Sequence, residues 1–541
     1  MRPLLLAAAL ATTILATTPA FAQARDAANR IIDEGTNHSQ VMVTAQHLTD
    51  VIGGRMTNSP QMRQAESWTA GKFAEWGLKN VHKEAFPFGR GWSIQRSSVR
   101  MVTPRIIQLT AIPIAWTPPT MNGTTVGAIS APVIVAPIRR ERDFDTWKGQ
   151  LRGKIVMLSL PGTGDEPKDA PFQRLSDSDL AKLDTFDQPR FDPEAAARRL
   201  KRLDFRKKLD TFLKSEGAVA YAIISRDDGK LVHGEGSLFG RDDNPQMPGV
   251  EIAAEDYRRL ARLAKVGPAP TVEIISDVRF DDSDMNAYNI IAEIPGTDPK
   301  AGYVMAGAHL DSWVAADGAA DNAAGTAMVM EAARILAATG MRPKRTIRFA
   351  LWAGEEQGLL GSLAYIERHL ASRGSPSDPP LTGDHAYYGW GQRFPITPKP
   401  EYGQLAAYFN IDNGSGKLRG LYAERNPAVV PIFREWLAPY ESMGASTVAV
   451  SPTEGTDHVF LQSIGIPGFQ FIQDPLDYDS RIHHSSADTF DHLKADDMRQ
   501  GSIVLAGVLL SAANADKPLP RPPLPTKPVV TDPFAYSVDD E

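Results

Sequence analysis

Apolar residues recur at helical spacing over residues 26–78, and Ser59-Pro60 supplies a cap and a first position for a helix running through Trp76. Near Ile106 the pattern changes, and β-branched runs broken by Pro and Gly predict short strands as far as Ile138. LRGKIVMLSL and GAVAYAIIS then read as buried strands with a charged helical excursion between them, and MPGVEIAAEDYRRLARL reads as a strand followed by a helix. From Tyr288 onward strands and helices alternate. NIIAEIPG and YVMAGAHLD precede a helix over 325–338; the strand TIRFALWA precedes a helix from Glu355 towards Leu370; LAAYFNID and GIPGFQFI are strands, and a last helix covers 495–513. This alternation predicts an α/β fold with a mostly parallel central sheet flanked by helices on both faces.

Composition bounds what such a fold is used for. At 541 residues the chain is longer than one average domain, and its shifts in pattern divide it into 1–22, 23–124, 125–280, 281–515 and a Pro-rich tail, 516–541. The net charge of −7 is mild. The one concentrated basic stretch, Arg198 to Lys208, alternates with Leu and Asp as a solvated helix face does, so no nucleic-acid partner is expected. The opening MRPLLLAAALATTILATTPAFAQ has one Arg, an apolar run of about a dozen residues and a small-x-small site at Ala20-Phe21-Ala22, the pattern of a secretory signal cleaved after Ala22. That run is shorter than the ~20 residues a membrane span requires, so no stable membrane insertion is expected after cleavage. The absence of cysteine rules out disulfides, a thiol nucleophile and thiolate ligands, and with the signal it suggests a periplasmic or secreted protein whose metals are held by imidazole and carboxylate.

The chemistry concentrates at predicted strand ends. His309 and Asp311 close one strand, Glu355 and Glu356 follow another, and Asp412 closes a third. The carboxyl ends of parallel strands face one crevice, so residues far apart in sequence meet there. A His/carboxylate set suits hard-to-borderline dications, and two of them about 3.5–4 Å apart would clamp a hydrolytic water and polarise a carbonyl. Each residue also has a plainer reading. Asp321 suits a helix N-cap before the Ala-rich helix, and Glu355 and Glu356 suit a first helical turn. Asp317 reads as a loop acid, and His458 in GTDHVF as either a substrate contact or a packed loop histidine. Trp313, Tyr478 and Phe490 either wall a specificity pocket or belong to the core.

GAHLDSW, GAADNAAG, WAGEEQGLLGS, FNIDNG and HHSSADT resemble, in order, the motifs of the co-catalytic zinc exopeptidases of metallopeptidase family 28, over residues 285–515. The first of these motifs and the doubled His are most similar to those of carboxypeptidase Q. Residues 125–280 resemble the β-rich protease-associated (PA) domain inserted in many members. The resemblance implies the zinc-exopeptidase fold and two zinc ions per chain, with Asp321 bridging them. His309 and Asp412 would complete one site, and Glu356 and His484 the other. Glu355 would be the general base, with Asp311 orienting His309 and Asp488 acting likewise on His484. In relatives the last ligand lies four residues before an Asp-Thr pair, which selects His484 over His483. Several relatives carry a Tyr at the position of His483, where its hydroxyl stabilises the oxyanion, and an imidazole N–H at His483 would fill that role.

The function expected is therefore an exported zinc aminopeptidase acting on peptides, with a dipeptidase or carboxypeptidase of the carboxypeptidase Q type as the alternative. Two further readings are a non-catalytic binding protein on the same fold and an acyl transferase that needs one metal.

Overall fold

The computed structural model describes residues 18–164, 170–186, 194–374 and 387–527. Most of the expected signal, residues 1–17, lies outside the described residues, as does the tail beyond 527. Among the described residues no helix is long and apolar enough to cross a membrane.

The central sheet is built from β1 (Lys79–Pro87), β2 (Asn286–Ile294), β3 (Tyr303–His309), β4 (Thr346–Trp352), β5 (Leu405–Asn410), β6 (Leu418–Tyr422), β7 (Thr447–Ala449) and β8 (Gly468–Gln473). Their order across the sheet is β1-β2-β4-β3-β5-β8-β6-β7. The inner strands β4, β3, β5 and β8 run parallel, while β2 pairs with β4, and β6 with β8, in the antiparallel sense. Burial follows this arrangement: every residue of β3, β5 and β8 is buried, as strands covered on both faces require.

Four helices place that sheet in the core. They are α1 (Thr18–Asn37), α2 (Pro60–Glu75), α3 (Ala324–Ala338) and α4 (Ala495–Asn514). Helix α2 begins as the sequence indicates, with Ser59 Oγ accepting from Met62 N at 3.1 Å and Pro60 in the first turn. Helix α3 is apolar almost all round and accordingly sits between the sheet and its neighbouring helices. It crosses α4 at Gly501, where a Cβ would come within 2.6 Å of the Met328 sulfur, so a larger residue there would have to displace the Met328 side chain. The buried Glu331 of α3 is held in a two-bond fork by Arg334 (2.9 and 3.0 Å), which also reaches Glu34 of α1 at 2.6 Å.

The helix expected from Glu355 begins only at Leu360, because Gly354, Gly358 and Leu359 all adopt positive φ (70°, 117° and 62°). Glu355 and Glu356 therefore lie on a turn. A second sheet of eight strands stands beside the first; to the strands of 125–280 it adds Gly91–Met101, Ile107–Gln108 and Ala111–Pro113. Its middle strands Ile129–Val135, Ile155–Met157, Ala220–Ile224 and Gly249–Ile252 are parallel.

Away from the crevice, His369 is clasped between Glu84 Oε2 of β1 (2.8 Å) and Glu401 Oε1 just before β5 (3.2 Å). Hydrogen bonds to Glu401 and Glu84 hold its imidazole up at about 9. A folded-state value above the ordinary 6.5 means the clasp contributes fully below about pH 6.5 and is lost as pH rises through 9. The stability gap between the protein and its His369→Gln variant, measured by urea unfolding, is accordingly expected to be about 1–2 kcal/mol at pH 6, allowing for partial exposure, and to close by pH 9.5.

Candidate metal centre

His309 is the last residue of β3, Asp412 lies just past β5, and Glu355 and Glu356 stand on the turn after β4, so the carboxyl edge of the parallel strands delivers all four to one place. Asp321 comes from a distorted turn, Ala319–Ala323, immediately ahead of α3. Its backbone is not helical there (φ −124°, ψ 87°), and the cap is made instead by Asn322, whose Oδ1 accepts from Gly325 N at 2.8 Å. His484 arrives from the loop before α4 with φ at 52°.

The carboxylate of Asp321 divides these residues into two sets. Its Oδ1 lies 3.1 Å from His309 Nε2, which is itself 3.2 Å from Asp412 Oδ1. Its Oδ2 lies 3.2 Å from His484 Nε2, which is 3.0 Å from Glu356 Oε2. Each set is an imidazole nitrogen ringed by carboxylate oxygens, with Asp321 common to both. Asp321 Oδ2 and Glu356 Oε1 are buried and take no well-formed hydrogen bond, an arrangement that a cation would satisfy. The charges fit a metal as well. Burial would raise the Asp321 carboxyl, but the imidazoles of His309 and His484 outweigh it and hold it well below the usual range. Burial opposes a charge on His484, yet Glu356 and Asp321 lift it to about 10. Protons on the imidazoles do here what dications would do between the same atoms, so the donor set fits two hard-to-borderline ions.

The supporting residues are arranged tightly. Asp311 is fully buried; its main-chain carbonyl lies 3.0 Å from His309 Nδ1, nearer than its own carboxylate at 3.8 Å. The Asp311 carboxylate instead accepts from Thr57 Oγ1 (3.0 Å) and from the backbone N–H groups of Glu355 and Glu356 (3.3 Å each). Asp488 also grips backbone, accepting from Ala320 N (2.7 Å) and Asp321 N (3.0 Å); it therefore steadies Asp321, where the sequence suggested a partner for His484. Burial pushes the Glu355 carboxyl well above its ordinary value, with the charges of Asp412, Asp457 and Glu356 adding to the effect despite His309. Burial and then the Asp321 charge bring Glu356 to about 7.

The ring of His483 lies tilted by 35° against that of His484 (centroids 4.0 Å apart), and its Nε2 lies 3.8 Å from Asp321 Oδ2. The ring of Tyr478 lies tilted against His483 with centroids 4.7 Å apart; burial and then the charges of Asp321 and Asp412 push its phenol well above its ordinary value. His458 is fully buried and bonded to Thr453 Oγ1 at 2.9 Å, which makes it a packed histidine. Phe490 packs against the core, Trp313 is buried beside Trp116, and Asp317 faces Asp50 and Arg55.

Three contributors carry no spacing signal. Arg55, fully buried, donates to the carbonyls of Leu310 (2.9 Å), Asp317 (2.7 Å) and Gly318 (2.8 Å) and so fixes the whole loop between His309 and Asp321. Asn322 Nδ2 donates to Asp412 Oδ1 at 3.0 Å. Asp457, buried, is brought to about 7 by burial, and its charge acts on Glu355.

Comparison with known proteins agrees with this geometry. Residues 289–508 match Peptidase family M28. Carboxypeptidase Q of Mus musculus is 26% identical over 476 residues, covering 88% of this chain and 86% of its own. Leupeptin-inactivating enzyme 1 of Streptomyces exfoliatus is 28% identical over 190 residues, 35% of this chain and 36% of its own. Among solved structures, a peptidase M28 precursor from Shewanella amazonensis superposes with a TM-score of 0.64 at 21% identity, covering 94% of this chain and 100% of that one. A zinc aminopeptidase from Bacillus subtilis gives a TM-score of 0.55 at 18% identity, covering 91% and 97%. The matched region carries His309, Asp321, Glu355, Glu356, Asp412 and His484 together, and over residues 289–508 the chain is similar to the metallopeptidases of family M28.

Proposed function

We propose that the protein is an exported exopeptidase that binds two zinc ions and releases the N-terminal amino acid of peptides. The observation that carries this reading is the division of the Asp321 oxygens between the His309/Asp412 and Glu356/His484 sets. Zinc bound there would polarise the scissile carbonyl and acidify the attacking water. Glu355, buried beside both sets, takes a proton from that water as its oxygen joins the carbonyl carbon, and gives it to the amine nitrogen as the C–N bond breaks. Asp311 holds the turn that aims Glu355. Export rests on the small-x-small site at Ala20-Phe21-Ala22, which gives a mature chain starting at Gln23, readable by intact mass.

A second reading, a dipeptidase or carboxypeptidase, is favoured by the carboxypeptidase Q relatives, which span most of the chain. Leucyl-p-nitroanilide, a free dipeptide and an amino-blocked dipeptide, assayed side by side, separate the two. Turnover of the first two alone supports an aminopeptidase, turnover of the free dipeptide alone a dipeptidase, and turnover of the blocked dipeptide a carboxypeptidase.

His483 is assigned the oxyanion donor, on its position beside the second ligand set. His483→Phe is then expected to lower kcat about 10²-fold with metal content intact. Unchanged turnover would remove that role, and a comparable loss in Tyr478→Phe would transfer it to the neighbouring phenol.

A further inference from the structure

Residues 225–240 of the inserted region run as a strap against the loop that carries His484. Arg226 Nη2 donates to the His483 carbonyl at 3.1 Å. Val232 and Ser486 are tied in both directions, Val232 N to Ser486 Oγ at 3.2 Å and Ser486 N to the Val232 carbonyl at 2.8 Å. Between these ties the ring of His233 lies flat on the ring of His484, with centroids 4.9 Å apart and planes 19° apart. Trp313, on the loop that follows β3, meets the same His233 edge to face at 4.9 Å.

The strap is itself rigidly built. Glu251 accepts from the backbone N–H groups of His233 (2.8 Å) and Gly234 (2.9 Å). Gly236 passes so close to Ala115 that a Cβ would lie 2.0 Å from its carbonyl oxygen. His233 is only 4% exposed, and its Nε2 is buried with no partner, so the ring is not kept there by any hydrogen bond of that atom. Its ring contacts are those two aromatic faces and, more distantly, Glu235 Oε2 at 3.9 Å from Nδ1.

We propose that His233 is a positioning residue for the second metal: the inserted region reaches across the crevice and clamps the His484 imidazole in the plane needed to meet Asp321 Oδ2 and Glu356 Oε2. The inference rests on the two-metal reading above. A ligand ring on a loop, at left-handed φ and without a helix or strand to hold it, loses orientational freedom on binding metal; a preformed stack removes that cost beforehand. The first set needs no such clamp, since His309 ends a buried strand and its Nδ1 is held by the Asp311 carbonyl. The two sites are therefore supported by different parts of the chain.

The test is calorimetric titration of the metal-free protein with Zn2+, which reads two binding events without reference to turnover. His233→Ala is expected to weaken the second event about 10–100-fold and leave the first unchanged, while His233→Phe, which keeps a flat ring, stays within about threefold of the parent. Equal affinities in the parent and His233→Ala overturn the inference. Should His233→Ala fail to fold, His233→Leu fills the space without a flat ring, and an unchanged second event in that variant overturns the inference equally. A parent protein that takes up a single Zn2+ defeats the two-metal reading and this inference with it. Two parent events that are both unaffected in the variants defeat this inference alone.

Discussion

Glu355→Gln lowers kcat by about 10³-fold, within the 10²–10⁴ that a positioned general base supplies, while the metal content and KM stay close to those of the parent. The replacement is isosteric, so the turn after β4 keeps its shape, and the Asp311 carboxylate still accepts the N–H of residue 355. What disappears is the acceptor for the proton of the attacking water. The same change is expected to raise the Tm of the metal-free protein. Burial holds the Glu355 carboxyl well above its ordinary value, and the neighbouring Asp412, Asp457 and Glu356 reinforce that. A neutral amide removes a carboxyl that folding must either protonate or bury as a charge in a crowded acidic site, so stability is gained where activity is lost. Steady-state kinetics, metal analysis and thermal unfolding in chelator test the three parts separately. Parent-like kcat would exclude Glu355 as the base.

Asp321→Asn has the larger effect. The Asp321 carboxylate, proposed to bridge the two ions, contacts both imidazoles, through Oδ1 at 3.1 Å and Oδ2 at 3.2 Å, and an amide can offer only one oxygen and no charge. Stoichiometry is expected to fall from two metals to one or none. Losing several kcal/mol of metal-assisted stabilisation at 1.36 kcal/mol per decade corresponds to about 10⁴-fold in kcat. Two metals retained at parental affinity in the variant would show that the residue does not bridge.

The strand ends were legible from sequence because a buried parallel strand is a run of apolar residues that stops where the chain turns outward, and a His or Asp at that stop is conspicuous. His309 after YVMAGA and Asp412 after YFNI are such cases, and the sheet centre follows from the same runs. The turn at Glu355 was not legible, since EEQGLLGSLAY has helical composition and only the positive φ at Gly358 and Leu359 reveals that the helix starts later. Arg55, Asn322 and Asp457 stayed hidden for a different reason. They act on backbone carbonyls, on a neighbouring carboxylate or through burial, and such contacts leave no periodicity. The antiparallel margins, β2 on β4 and β6 on β8, were likewise beyond reach, because strand direction depends on the path of the intervening chain. His233 lay in a region with no clustered ligands, and its role depends on a partner 251 positions away.

Asp311 spans two pieces of the crevice, with its carbonyl at His309 and its carboxylate under the N–H groups of Glu355 and Glu356. The residues proposed as base and as first ligand are thereby tied to one side chain rather than held independently. A shift of the strand end is then expected to carry the Glu355 turn with it, so that the distance between the proposed proton acceptor and the first binding position varies less than either position does alone. A variant at Asp311 consequently broadens that distance distribution, and no single parameter, neither metal affinity nor the acidity of Glu355, will describe the damage.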